Sequence, residues 1–380
     1  MTFFQRIKKI LYSRVVRIFG LFLVSIVILC LLLALSFDSY CGSQQADFKP
    51  VQSQSLQTNV FSIPDLSKYN RRMESTYLTF PEWYLVFNPQ EYARFIASNR
   101  PSRFPYFTSI QQFWGGYCQV YGITKHNYPF NKGDHLVEVV IGTSFSVEYV
   151  AKGVWENTIG RVSEWTSGGE QTEEDVYAAR VADAYGKFIP DYPWYEFPFP
   201  SSFTGLWSQT KIFGPHSVRK FERKIYLSIE YGIKALYAKI ISTGTHAVYG
   251  IADTEVYAMV QHAVPSALSD PSVRIVQDLG NGGFVITLPH YQGFTDTAPS
   301  LAEKGVDFIE IAGNKEILMS FISPDNFTLK NNQVKILFSM KVLGEMKKKR
   351  VAIQVPVESL SFIIRELAAK DIPIEHIFDY

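Results

Sequence analysis

Twenty consecutive residues near the N terminus carry no charge, and this run constrains the structure and location of the chain more than any other feature. It covers residues 18–37, "IFGLFLVSIVILCLLLALSF". As a helix rising about 1.5 Å per residue it would be about 30 Å long, which matches the hydrocarbon core of a bilayer. We therefore predict a transmembrane helix there. A cleaved signal peptide is the alternative, since Ala34 and Ser36 are small residues of the kind that precede a cleavage site.

The charges on either side of this run predict its orientation. Asp38 follows it, and the residues before it include no acid and several bases, namely Arg6, Lys8, Lys9, Arg14 and Arg17. By the positive-inside rule, residues 1–17 form a cytoplasmic basic segment and the body lies on the extracytoplasmic, periplasmic side. No later run is long and uncharged enough to cross again. We expect a single-pass protein of the inner (plasma) membrane, with the lipid bilayer as partner of residues 18–37.

The three cysteines are too few for a disulfide scaffold or a zinc cluster. Cys30 lies in the apolar run, whereas Cys41 and Cys118 would share an oxidising compartment. A bridge between them would contribute about 4 kcal/mol in the chain-entropy model. The alternative is two unpaired thiols, with Cys118 a small apolar filler beside Trp114. The sequence leaves this choice open, because it does not supply the geometry.

Composition divides the rest of the chain into three parts. Residues 38–75 are polar and rich in Gln and Ser, which is typical of a tether. Residues 76–250 carry helical patterns and form a predicted helical, aromatic-rich domain, and residues 251–380 form a predicted α+β domain. The net charge of +1 gives no field that would attract nucleic acid, and the aromatic content of 15% argues against disorder.

Local signals mark where helices begin and end in the first of these domains. Asn88 is placed to cap a helix that has Pro89 at its first position and Pro101 after its end. Thr172 and Asp175 form a capping box at the start of a helix that ends near residue 188. Two longer helices, one between these two and one after them, are expected from apolar periodicity.

The two longer helices each carry an apolar stripe that we expect to face the core. The helix over residues 133–166 has the stripe Val140, Ser144, Val147, Ala151, Val154, Thr158, Val162 and Trp165. The helix near residues 216–241 has the stripe Val218, Phe221, Ile225, Ile229, Ile233, Leu236 and Ile240. The opposite face of the second helix is basic. That face is either solvated or lies against anionic lipid headgroups.

From residue 251 the pattern changes to short β-branched runs separated by turns. "EVYAMVQ", "VRIVQDL", "GGFVITLP", "VDFIEIA" and "EILMSFIS" are typical of strands, "VKILFSMKVL" and "KRVAIQVPV" of a hairpin, and "DTAPSLAEKG" of a helix. A last helix and strand follow. This strand–helix–strand order predicts a ferredoxin-like α/β sandwich in an α+β protein. The last helix and "DIPIEHIFDY" resemble the ACT type of small-ligand-binding domain.

Strong catalytic motifs are missing from the sequence. It has no phosphate loop, no G-x-S-x-G, no H-E-x-x-H and no paired C-x-x-C. His135 and Glu138 stand one helical turn apart, but the further Glu and His partners that a bundle metal site needs are not found. We therefore expect no metal and no cofactor.

Two segments repeat one pattern, in which a carboxylate stands among aromatic residues and prolines. They are "FPEWY" at residues 80–84 and "PWYEFP" at residues 193–198. Packing against rings removes water from a carboxyl group and raises its pKa, so Glu82 and Glu196 would suit glycoside hydrolysis if they faced one cleft. The groove would be lined by Trp83, Tyr84, Trp194, Tyr195 and Phe197. The alternative is structural: a lid over core aromatics, with each acid bound to backbone donors or to an arginine such as Arg103.

Four segments between residues 76 and 250 resemble an uncharacterised family of bacterial single-pass membrane-anchored proteins. They are "TYLTFPEWYLVF", "FPYFTSIQQFW", "GTSFSVEYVAKGVWENTIGRVSEWT" and "PWYEF". The resemblance implies a bacterial inner-membrane location and a helical domain, and it assigns no catalytic residue.

We expect a membrane-anchored extracytoplasmic binding or scaffold protein that presents an aromatic groove to an envelope ligand or a membrane-protein partner. One alternative is an envelope hydrolase that uses Glu82 and Glu196. Another is a structural subunit of a membrane complex, docked through the basic helix and the C-terminal sandwich. The sequence favours a role without catalysis.

Overall fold

The computed structural model describes Cys41 and residues 70–72, 74–248, 254–329, 331 and 334–379. The predicted cytoplasmic segment, the apolar run at residues 18–37 and most of the predicted tether lie outside these residues. Within them the chain is α+β, as predicted: helices occupy the part up to residue 248, and two antiparallel sheets follow.

The helical part contains seven α-helices in its described residues. They are α1 (Glu74–Ile96), α2 (Tyr106–Asn127), α3 (Lys132–Trp155), α4 (Arg161–Thr166), α5 (Glu173–Phe188), α6 (Phe199–Gln209) and α7 (Ser217–Val248). A π-helical turn, Glu156–Gly160, joins α3 to α4. The predicted capping box is confirmed at α5: the Thr172 hydroxyl accepts from the Asp175 backbone N–H, and the Asp175 carboxylate accepts from that of Thr172.

Helix α1 begins earlier than the sequence predicts. Asn88 does not cap it, and "FPEWYLVF" is not a loop, because α1 continues through Pro81 and Pro89. The Asn88 amide is buried and donates to the hydroxyl of Tyr84 (3.4 Å). Helix α1 packs against α2 and against strands of the C-terminal part. This burial outweighs the backbone hydrogen bonds that the two prolines remove.

The C-terminal part consists of two units with the same topology. The first contains β1 (Glu255–Gln261), β2 (Arg274–Gly280), β3 (Gly283–Pro289), α8 (Gln292–Glu303) and β4 (Asp307–Ile311), in the sheet order β2-β3-β1-β4. The second contains β5 (Glu316–Pro324), β6 (Lys335–Lys341), β7 (Lys348–Pro356), α9 (Val357–Ala368) and β8 (Ile374–Ile377), in the order β6-β7-β5-β8. Each unit therefore has three strands, a helix and a fourth strand.

This connectivity differs from the ferredoxin-like sandwich, so that prediction is wrong. A ferredoxin-like domain places a helix after its first strand and runs β-α-β-β-α-β, whereas here three strands precede each helix. The sequence shows where strands occur but not which strands pair, and in the structure all strand pairs of each sheet lie within its own unit. Helix α8 contacts β8 and helix α9 contacts β4, so each helix packs against the last strand of the other unit. The two units share one hydrophobic core.

The second sheet also packs against the helical part. Ile317 and Met319 point into the core shared by the two units, and Leu318, between them on β5, points to the cluster formed with α1. This alternation is what a strand buried on both faces requires. Arg350 of β7 is buried and binds Glu91 of α1 at 2.7 Å. The described helices and sheets are thus joined by apolar contacts and by a buried ion pair.

A disulfide links Cys41 to α2. Its partner is Cys118, with an S–S distance of 2.07 Å and 4.9 Å between the Cα atoms. Both cysteines are buried among aromatic residues of α2 and α3. The chain four residues after the apolar run is therefore attached to the helical part.

Candidate functional site

The aromatic residues predicted to line a groove on α1 are buried in the core. The Trp83 ring stacks on His376 of β8, with 3.5 Å between the ring centroids. Tyr84 is fully buried, edge-on to Phe113 and Phe145. Both side chains hold α1 against its neighbours and present no surface to a ligand.

The second aromatic segment, residues 193–198, does not form a groove. It packs against helices instead. Trp194 and Tyr195 lie in a 3-10 turn, Trp194–Glu196, and both are half-buried. The Trp194 ring contacts Tyr237 of α7, and the buried Phe197 packs edge-on against Tyr185 of α5. Glu196 is exposed. The segment packs against α5 and α7, as the structural alternative describes.

Glu82 is paired with Glu138 of α3, and not with Glu196. Glu138 is 2% exposed, and the two carboxyl groups share a hydrogen bond. Two carboxyl groups can share a hydrogen bond only if one of them carries a proton. Desolvation raises the pKa of Glu82 to about 7. Desolvation and then the charge of Glu82 raise the pKa of Glu138 well above its ordinary value, so the pair keeps a proton at neutral pH.

The pair has the hydrogen-bonded contact of a carboxyl dyad. Glu82 is exposed to solvent, and the protein atoms around its carboxyl group remove enough water to raise its pKa. A hydrogen-bonded pair is closer than the roughly 5 Å or more that separates glycosidase carboxyl groups. The arrangement instead corresponds to two acids that share one proton.

An open cavity lies at the start of α3. Asp134 lies one turn before Glu138, and its negative charge raises the pKa of both acids of the pair. The Asp134 carboxylate is bound by Arg72 at 2.6 Å. Asn131 caps the helix by accepting from the backbone of Gly133 (3.1 Å). The cavity has a volume of about 670 Å³ and its described lining is Arg72, Tyr128, Pro129, Phe130, Asn131, Lys132 and Gly133.

His135 has no nitrogen available for a metal. Its Nδ1 lies 3.0 Å from the Tyr117 hydroxyl and its Nε2 lies 3.1 Å from Thr124 Oγ1. The Thr124 hydroxyl donates to the Val120 carbonyl, so Nε2–H is the donor to Thr124 and Tyr117 donates to Nδ1. Burial lowers the pKa of His135 to about 4. In the part of the chain that the structure describes, no group of three His, Cys, Asp or Glu residues could hold a metal ion.

The apolar stripe of α7 faces outward, opposite to the sequence prediction. Every residue of the predicted stripe is exposed, from Val218 (56%) to Ile240 (52%). The stripe on α3 and α4 is also largely outward, since Val154, Val162 and Trp165 are all more than half exposed.

The basic face of α7 is buried in ion pairs. Arg219 binds Asp175 of α5 at 2.6 Å, and Arg223 binds Glu156 of the π-helical turn at 2.9 Å. Burial would raise the pKa of Glu222, but the hydrogen bond and charge of Arg223 lower it to about 2. Neither alternative for this face, solvation or headgroup contact, describes the structure.

A seam of ion pairs joins α3 to α7 and sets the direction of both stripes. Lys234 binds Glu148 (3.0 Å) and Lys152 binds Glu230 (2.7 Å), so the helices are antiparallel. Successive residues of a helix are about 100° apart around its axis. The residues of each stripe therefore lie about a quarter to a third of a turn around the helix from the residues of the ion-pair seam. Because the helices run in opposite directions, both stripes fall on the same side of the layer. We call this surface the apolar face; it comprises Val140, Val150, Val154, Val162 and Trp165 together with Val218, Phe221, Ile225, Ile229, Ile233, Leu236 and Ile240.

Known proteins add no assignment to these observations. No protein-family model, curated protein or solved structure matches this chain. Among the helices of the described residues, none combines the length and the apolar character needed to cross a bilayer.

The sequence pointed to Glu82 but not to its partner, Glu138. It also showed the two apolar stripes, but the prediction that they face the core is wrong, because they face outward. Glu82 and Glu138 lie on separate helices, and no spacing in the sequence links them. The acids that neutralise α7 come from α5 and the π-helical turn. A basic helical face has the same sequence pattern whether water or buried carboxylates surround it.

Proposed function

We propose that this chain is a membrane-anchored, extracytoplasmic binding or scaffold protein that contacts its partner through the apolar face. Residues 18–37 would cross the inner membrane once, with residues 1–17 in the cytoplasm and the body outside. The family resemblance in residues 76–250 agrees with this placement. The apolar face is the observation that supports a binding role: it is a continuous outward surface on helices that bury most of their charged residues, with Lys132, Arg161 and Lys239 exposed.

Exposing such a face to water is unfavourable, so a partner that covers the face lowers the free energy. Full burial of a half-exposed Ile, Leu or Val side chain gains about 1 kcal/mol, and the face contains many of them. Monomeric soluble proteins rarely expose large continuous apolar patches, and such patches mark sites for partners or membranes. The buried ion pairs hold both helices in this orientation, so the face is part of the fold.

Hydroxyl-radical footprinting of the full chain in native membranes tests the proposal without any substitution. Trp165 is 81% exposed and Phe221 is 65% exposed, so both should react quickly if the face is bare. We expect both to be protected, relative to the same residues in the unfolded chain. Met346 (72% exposed) and Tyr192 (56%) lie off the face and should stay reactive. Equal reactivity of all four residues would disprove the binding role.

The placement of the body has its own test. A protease added to intact spheroplasts should remove a tag fused after the last residue. Protection of that tag, with cleavage only after lysis, would contradict the extracytoplasmic assignment.

A second candidate function is hydrolysis by the Glu82–Glu138 pair, which the coupling of the two carboxyl groups favours. An ionised Glu82 would take a proton from a water molecule as its oxygen bonds to the carbonyl carbon of an amide or ester, and Glu138 would give its proton to the carbonyl oxygen. Glu82 would then pass its proton to the leaving nitrogen or oxygen as the bond to the carbonyl carbon breaks, and Glu138 would regain its proton from the former carbonyl oxygen. Peptide cleavage by the full chain should then change near pH 7 and be lost in Glu82→Gln. The Glu196→Gln variant is the matched control and should keep full activity. Failure of the wild-type chain to cleave a mixed peptide library at acid and neutral pH would rule out this candidate.

A further inference from the structure

We infer that the apolar face lies in the outer-leaflet interface of the same bilayer that holds the anchor. This inference rests on the proposed function and names its partner: lipid, and not a second protein. Helices α3 and α7 would lie flat at the boundary between headgroups and acyl chains, as amphipathic helices of this length do.

The composition of the face favours lipid over a protein partner. Along α7 from Val218 to Ile240, every exposed residue is apolar except Lys239. Along α3 and the π-helical turn, from Leu136 to Ile159, no exposed residue carries a charge, and the exposed Arg161 follows at the start of α4. The α7 segment alone is about 30 Å long. Protein–protein interfaces normally have a polar rim and are only about as apolar as other protein surface.

The position of the anchor favours the same conclusion. The disulfide fixes Cys41 to Cys118 of α2, and Cys41 is the fourth residue after the end of the apolar run at Phe37. Four extended residues span at most about 14 Å. Helix α2 packs directly on α3, where the Trp114 indole donates to Ser146 (2.9 Å). The anchor therefore holds α3 within a short distance of the membrane surface.

Aromatic residues stand at one end of the layer, as they do at membrane boundaries. Trp165 ends α4 and Phe213 precedes α7, and they are 81% and 83% exposed. Because α3 and α7 are antiparallel, both residues lie at the same end. Tryptophan and other aromatic side chains are enriched at the level of the headgroups.

The burial of the basic residues predicts how the face would bind lipid. Arg219, Lys220, Arg223 and Lys224 are each 1–3% exposed and are held by carboxylates or, for Lys224, also by the Thr210 carbonyl. They cannot reach anionic headgroups. Arg161 and Lys239 are the exposed bases next to Val162 and Ile240 of the face. Two bases are fewer than a polybasic helix uses, so insertion should depend mainly on apolar contact and only weakly on anionic lipid.

Depth-dependent fluorescence quenching of the full chain in phosphatidylcholine vesicles tests this inference. In a Trp165→Phe background, which removes the native tryptophan of the face, we expect the Ile229→Trp variant to be quenched at least about twofold more by acyl chains brominated near the carbonyl than is the Gln277→Trp variant. Gln277 lies on the exposed strand β2, away from the face. Circular dichroism and an intact Cys41–Cys118 bridge would show that both variants fold. The quenching should change little when roughly a third of the lipid is anionic.

Two results would overturn the inference. One is equal quenching of the two variants, and the other is quenching that appears only with anionic lipid. If Trp165 and Phe221 are nevertheless protected in native membranes, the binding role stands and its partner is a protein. If they are unprotected there as well, both the inference and the proposed function fail.

Discussion

The ammonium group of Lys152 on α3 lies 2.7 Å from the carboxylate of Glu230 on α7, and both side chains are largely buried. Burial alone would lower the pKa of Lys152, but Glu230 and Glu148 raise it well above the ordinary value. The lysine is therefore charged at any physiological pH. Its charge ties together the two helices whose outer sides form the apolar face.

Removal of this cation should destabilise the protein strongly. In Lys152→Ala, Glu230 and Glu148 would keep buried negative charges with one cation fewer, which costs about 3–5 kcal/mol. Urea unfolding of the full chain in mild detergent measures the loss. Lys187→Ala is the matched control, because its partner Asp183 lies in an exposed pair and such pairs contribute at most about 1 kcal/mol. Equal losses in the two variants would show that the seam does not hold the helices together.

The outward orientation of the α7 stripe predicts a contrast between neighbouring positions. Ile229 is 51% exposed and Leu227 is 3% exposed. Ile229→Ser should change the free energy of unfolding by less than about 1 kcal/mol, because it removes few packing contacts. Leu227→Ala should cost about 2–5 kcal/mol, since it leaves a cavity in the core. A larger loss for Ile229→Ser than for Leu227→Ala would mean that the stripe faces inward.

Burial of His135 predicts acid sensitivity. Its pKa falls from 6.5 to about 4 in the folded chain, so the unfolded chain binds a proton more readily between these values. The contribution to stability is complete above pH 6.5 and decreases by up to about 3 kcal/mol as the pH falls toward 4. The free energy of unfolding, measured between pH 6.5 and pH 4, should depend less steeply on pH in His135→Gln than in the wild type. The exposed neighbour His126, changed to Gln, should leave the slope unaltered.

Glu82 predicts a change of the opposite sign. Its pKa is raised from 4.5 to about 7, so the folded chain binds the extra proton between these values. Its contribution to stability is complete below pH 4.5 and is lost as the pH rises through 7. Glu82→Gln should remove this decline, and Glu196→Gln should retain it. A decline that is identical in both variants would place the titrating group elsewhere.

The disulfide predicts a specific pattern of thiol reactivity. Without reduction, peptide mapping should recover Cys41 linked to Cys118, whereas Cys30 should be alkylated. The bridge spans 77 residues of sequence, and a loop of that size stabilises the folded chain by about 4 kcal/mol in the chain-entropy model. Cys118→Ser should therefore lower the unfolding midpoint clearly. Alkylation of all three cysteines in the untreated protein would contradict the bridge.

Local signals predicted much of the secondary structure. The capping box at Thr172 and the long helices and strands are where periodicity and turn residues place them. Local signals failed where packing decides the outcome. Helix α1 continues through Pro81 and Pro89 because two neighbouring layers bury it. In the two C-terminal units, each helix packs against the last strand of the other unit, and one core is shared by both.

By itself, the sequence determined that α3 and α7 each have one apolar side and one charged side, because a period of 3.6 residues makes this visible. It also determined which carboxylate, Glu82, stands among aromatic residues. Only the tertiary structure decided which side of each helix faces inward and which acid lies beside Glu82. The physical reason is that periodicity records a direction around the helix axis, whereas burial depends on partners from other helices. Asp175 and Glu156 neutralise Arg219 and Arg223 inside the layer, and the apolar stripe is left on the outside.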